Sequence, residues 1–100
     1  NEALDSLMDR ELSEQDRNRI GAIVEAHTEV KGLHDLRTRM AGTKFFIQLH
    51  VELPGAMTLH DAHIISDQVE AELLAEFPDA EVIIHQDPEG INERIDNFND

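Results

Sequence analysis

The sequence predicts an α+β open sandwich: a three-stranded sheet with two helices on one face. Three observations predict it. Two segments carry apolar residues at helical spacing. Three shorter segments alternate apolar and polar residues, as half-buried strands do. These segments follow the order α-β-β-α-β. The helix between the last two strands must cross over one sheet face, so both helices cover that face and the other carries polar side chains.

Residues 1–12 have irregular apolar spacing and read as a linker. The first helix is expected over 14–28. Ser13 can cap it, with Asp16 at the third helical position. Ile20, Ile23, Val24 and His27 share one face. His27 lies near the helix C-terminus, where a donor or cation suits the dipole, and is read as structural.

"GLHDLRTRM" and "KFFIQLHVEL" alternate, and "MAGTK" between them reads as the turn of a β-hairpin. Phe45, Ile47, Leu49, Val51 and Leu53 form the core face of the second strand. Phe46, Gln48, His50 and Glu52 form the other. The second helix lies in "MTLHDAHIISDQVEAELLAEF", with Thr58 as cap and Leu59, Ala62, Ile65, Val69 and Leu73 as its apolar stripe. Pro78 ends it. "DAEVIIHQDP" is the third strand, stopped by Pro88. The folded domain is expected over 13–88, with 89–100 a polar tail.

Twenty-two acidic against eight basic residues give a formal charge of −14. Such a surface repels phosphate backbones, which excludes a nucleic-acid partner and favours cations. With no cysteine, a thiolate metal site and a cysteine nucleophile are excluded, so a metal would bind through His, Asp or Glu. No apolar run approaches the ~18 residues of a membrane span. The chain starts without a methionine and reads as a piece of a longer protein.

Six histidines bear on function. A three-residue hairpin loop, Ala41 to Thr43, pairs Met40 with Lys44, Leu36 with Gln48 and His34 with His50. Directly opposed residues have Cβ atoms about 4.5–5.5 Å apart, close enough for two ligands of one ion. On the third strand His85 and Asp87 are two apart and share a face. If that strand adjoins the hairpin, three imidazoles and a carboxylate converge at one end of the outer face. His63 lies at the boundary of the second helix's apolar stripe, within reach of the sheet edge. His60 is expected in solvent.

The strings "ELSEQDRNRI", "GLHDLRTRMAGTKFFIQLHVEL" and "DAHIISDQVEAELLAEFPDAEVIIHQDP" together resemble the cytoplasmic C-terminal domain of bacterial cation diffusion facilitators, in the ferrous-iron and zinc efflux branch. The resemblance covers about residues 10–88. It implies a metallochaperone-like fold, a homodimer and a binuclear zinc site near the dimer contact. By it His34, His50, His63, His85 and Asp87 are metal ligands, with Asp87 bridging. It implies a parent antiporter whose transport residues lie in a separate transmembrane domain, and a location on the cytoplasmic side of the bacterial inner membrane.

The function expected is therefore that of a regulatory metal sensor, not an enzyme. Zn²⁺ is the expected ion, with Fe²⁺, Mn²⁺, Co²⁺ or Cd²⁺ as alternatives. Binding would shift the homodimer between two conformations; alternatively the domain receives or holds cytoplasmic metal. Two other classes are a purely structural dimerisation module and a binuclear metallohydrolase, for which no substrate pocket or general base is evident.

Overall fold

The computed structural model describes residues 11–90. Most of the predicted lead-in (1–12) and tail (89–100) lies outside them. The elements are α1 (Glu14–Glu25), β1 (Gly32–Ala41), β2 (Lys44–Leu53), α2 (Leu59–Glu76) and β3 (Ala80–Pro88). β1 and β2 are antiparallel, β3 joins β2 in parallel, and the strand order is β1-β2-β3. The expected α-β-β-α-β sandwich is thus the observed one.

Both helices begin as the sequence indicates. Ser13 Oγ accepts the Asp16 N–H at 3.1 Å and Thr58 Oγ1 accepts that of Asp61 at 3.0 Å, each satisfying an orphan donor of a first turn. α1 stops at Glu25, three residues short of the expected end, with Ala26 as its cap. Ile20 and Val24 of α1 and Ala62, Ile65, Val69 and Leu73 of α2 pack on Ile47, Leu49, Val51 and Leu53 of β2. Leu12, read as the end of the lead-in, also joins this core at 5% exposure. Its N–H donates to Thr38 Oγ1, which also accepts from Arg17 Nη1. Leu59, expected in the stripe, is 83% exposed. As the first residue of α2 it lines an open hollow with Pro54, Gly55 and Pro88.

The hairpin corrects the expected register. Its loop is two residues, Gly42 and Thr43, with Gly42 at φ 64°. Glycine enters that region at no steric cost, and tight loops of this length match the twist of the strands. Met40 therefore faces Phe45, and Arg37 rather than Leu36 faces Gln48. Yet His34 still faces His50, because a β-bulge intervenes between His34 and Arg37. Asp35 and Leu36 together oppose Leu49, and Asp35 has φ 56°.

The bulge reverses the alternation of β1. On its loop side Leu36, Thr38 and Met40 face the core; on its other side Leu33 does. In a regular strand Leu33 and Leu36 could not share a face, and His34 would point inward with Leu36. The extra residue lets both leucines pack and turns His34 outward. Asparagine and aspartate are among the few non-glycine residues tolerated at such a φ. Accordingly Asp35→Gly should be tolerated, whereas Asp35→Val should cost about 1–3 kcal/mol. Urea midpoints measure both, and equal midpoints would refute the strain argument.

Candidate metal centre

The outer sheet face carries one row of histidines across all three strands, since His34 faces His50 and His50 faces His85. The rings stack: centroids are 4.9 Å apart for His34–His50 and 4.6 Å for His50–His85, with interplanar angles of 19° and 15°. The next outward residues on β2 and β3, Glu52 and Asp87, are also directly paired. Three imidazoles and two carboxylates thus meet at one end of the sheet.

Asp87 is the focus. Its Oδ2 lies 2.9 Å from His50 Nδ1 and 3.4 Å from His34 Nε2. One ligand atom from each of His34, His50 and Asp87 falls within 4.8 Å of the other two. The side chains of His50 and Asp87 are only 19% and 14% exposed, so the carboxylate is largely withdrawn from water and needs a donor or cation beside it.

These distances suit a metal. With bonds of about 2.0–2.2 Å to nitrogen and oxygen, tetrahedral ligand atoms sit about 3.3 Å apart. The observed 2.9 and 3.4 Å bracket that edge. With neutral imidazoles, the two carboxylates balance the charge of one divalent ion.

The residues expected from the sequence divide into three groups. His34, His50 and Asp87 come together. His85 lies against them through its stack on His50, but outside the three-atom cluster. His63 is on α2, its side chain 68% exposed and its Nε2 3.3 Å from Asp67 Oδ2 one turn on. Within one chain the fold does not bring it to the cluster. Glu52 was placed on the outer face but not in the site; its Oε2 lies 3.1 Å from His34 Nδ1. The signal for it was available, because "HVE" puts Glu52 on the face of His50. The other two histidines behave as read. His27 Nε2 contacts Glu72 Oε1 of α2 at 2.8 Å, tying the helices together, and His60 is exposed.

Fold and cluster define an α+β sheet domain with a candidate metal site on its outer face. The comparisons make this specific: the chain belongs to the cation efflux protein family, whose cytoplasmic-domain model matches residues 12–89. It is 54% identical over 93 residues to protein p34 of Rickettsia rickettsii (strain Sheila Smith), covering 93% of this chain and 31% of that protein. It is 52% identical over 86 residues to the cation-efflux pump FieF of Shewanella oneidensis, covering 86% of this chain and 29% of the pump. The chain thus spans about a third of the length of these relatives. The metal-bound C-terminal domain of the CzcD transporter from Thermotoga maritima superposes with a TM-score of 0.73 at 32% identity, over 82% of this chain and all of that one. The resemblance stated from the motifs is the family found. The family description, cation efflux, gives the hydrolase reading no support. Among the described residues no helix is long and apolar enough to cross a membrane.

Proposed function

We propose that this chain is the regulatory cytoplasmic domain of a divalent-cation efflux transporter, and that it binds Zn²⁺ through His34, His50 and Asp87. The observation that carries the reading is the convergence of these three ligand atoms within 4.8 Å on an outward face. His85 stands next in the row and extends the site toward a second ion, with Asp87 offering its other oxygen. Fe²⁺, Mn²⁺, Co²⁺ and Cd²⁺ suit the same donors, since nitrogen and oxygen ligands do not select one of these metals. Residues 1–12 would connect to the membrane domain on the cytoplasmic side of the inner membrane, and residues 13–88 form the sensor.

The partner proposed is a second copy of the chain. The outer face bears Ile83 at 49% exposure, apolar surface that pairing would cover, beside Arg39 stacked 4.2 Å over Phe46. His63, remote from the cluster in its own chain, is available as a ligand across the pair. Two chains of charge −14 repel when metal-free, and cations between them relieve the repulsion. Metal then shifts the dimer equilibrium by its differential affinity for the two states, and a coupling of about 1–3 kcal/mol changes populations 5- to 150-fold.

Calorimetric zinc titration combined with sedimentation velocity tests this. The expected result is zinc uptake by the intact chain and a dimer that tightens or changes shape with zinc. Absence of uptake would favour the purely structural dimerisation module. Protons compete with metal for neutral imidazole, so affinity should fall as pH falls. Zinc affinity at pH 5.5 should therefore be lower than at pH 7.5. Affinity unchanged at that pH would argue against histidine ligation.

A further inference from the structure

Each ring nitrogen of His34 faces a different carboxylate. Nδ1 lies 3.1 Å from Glu52 Oε2, and Nε2 lies 3.4 Å from Asp87 Oδ2. A neutral imidazole has one N–H and one lone pair, so the two nitrogens cannot play the same part. Two observations assign the proton. The Glu52 contact is the shorter of the two, 3.1 against 3.4 Å, and sets a carboxylate charge beside Nδ1. Asp87 Oδ2 is also already engaged by His50 Nδ1 at 2.9 Å. Among the described residues the Glu52 carboxylate contacts no other polar side chain.

The strand places Glu52 for this part. It is two residues beyond His50 on the same face of β2, opposite Gly32 on β1 and Asp87 on β3. Its backbone carbonyl accepts the Lys31 N–H at 2.8 Å, which fixes the start of β1 beside it. The neighbouring position is a glycine, where a Cβ would already touch Glu52 Oε1 at 3.5 Å. The carboxylate lies over the edge of β1, with Oε1 within van der Waals reach of the Gly32 position and Oε2 3.1 Å from His34 Nδ1.

We propose that Glu52 is a positioning residue: it holds the proton of His34 on Nδ1 and so leaves the Nε2 lone pair directed at the Asp87 corner of the metal site. Carboxylates that accept the second N–H of a ligating histidine fix its tautomer and ring orientation and raise its basicity as a ligand. Glu52 does this for His34, which ligates through Nε2. The inference rests on the reading of this cluster as a metal centre.

Two measurements on the full chain test it. The first needs no metal. Two-dimensional ¹H–¹⁵N spectra that correlate ring nitrogens with carbon-bound protons, recorded near pH 8.5, about two units above the ordinary imidazole range, report the His34 tautomer. The Nδ1–H form is expected in the intact chain, with a shift toward Nε2–H in Glu52→Ala. The second is zinc affinity by competition with a chromophoric chelator, with circular dichroism confirming that the variants fold. Glu52→Ala should bind zinc about 10- to 100-fold more weakly, the usual cost of losing such a partner. Glu52→Gln, which keeps an acceptor oxygen, should remain within a few-fold of the intact chain.

Glu52→Ala that binds zinc like the intact chain would overturn the proposal. So would Glu52→Gln as weak as Glu52→Ala, which would make Glu52 a ligand in its own right. If the intact chain takes up no zinc, the metal reading fails, and the tautomer spectra still decide whether Glu52 sets the His34 proton.

Discussion

Asp87→Ala should reduce zinc affinity by more than about a hundredfold, beyond the upper end of what loss of an outer partner costs. The reason is geometric and electrostatic together. Oδ2 of Asp87 is the atom that both His50 Nδ1 and His34 Nε2 approach, at 2.9 and 3.4 Å. Without it the two imidazoles remain stacked, but no negative charge lies between them to offset a divalent ion. Asp87→Asn keeps an oxygen and loses the charge, so it should fall between the intact chain and Asp87→Ala. His85→Ala should cost less than His50→Ala, since His85 stands outside the three-atom cluster. Thermal melts give a second readout. At a zinc concentration a hundred times Kd, binding stabilises the folded chain by about 2.7 kcal/mol. For a domain of this size that is roughly 10–20 °C in Tm. Asp87→Ala should lose that increment, and a zinc-dependent rise equal to that of the intact chain would exclude Asp87 as a ligand.

Leu49→Ala should destabilise the domain by about 2–5 kcal/mol, lowering Tm by at least 10 °C or so. Leu49 is fully buried on the central strand, one residue before His50, and faces the two bulge residues of β1. Truncation opens a cavity beneath the point where β1 changes its alternation, which the rigid sheet can only partly close. The same strand turns Leu49 inward and His50 outward, so core and site are coupled through one backbone. Added zinc should recover part of the lost stability, because a ligand that binds only the folded state opposes unfolding. A denaturation midpoint unchanged from the intact chain would contradict the placement of Leu49 in the core.

The sequence carried the architecture where its pattern was regular. β2 alternates without interruption, so its two faces were legible residue by residue, and Ser13 and Thr58 marked the helix starts. The opposition of His34 and His50 was also anticipated, but through a three-residue loop that does not exist. A two-residue loop and a bulge give the same pairing. The trace of the bulge was the spacing of Leu33 and Leu36, which fits no single strand face, and pattern reading has no means of converting that mismatch into an inserted residue. Leu59 obeyed helical spacing and still lies in solvent, because spacing defines a face without saying how far along the helix the sheet extends. Glu52 was on the right face, but its part depended on which nitrogen of His34 it approaches, a matter of side-chain geometry. His63 illustrates the remaining gap: one chain's fold leaves it apart from the cluster, and a sequence does not encode the arrangement of a pair.

The bulge also determines how this site should be searched for in other sequences. His34 and His50 sit on the far side of it from the turn, while the ladder from Arg37–Gln48 to Ala41–Lys44 lies between bulge and turn. Lengthening or shortening the hairpin by one residue on each strand near its tip would leave the two histidines opposed, because what lies beyond the bulge is indexed from the other end of the strands. The number of residues separating the two histidines is therefore free to drift. The two-residue step from His85 to Asp87 is not, since the pleat alone keeps them on one face. A pattern with a fixed H-x-D and an elastic gap between the hairpin histidines describes the site; a fixed gap would describe only one length of hairpin.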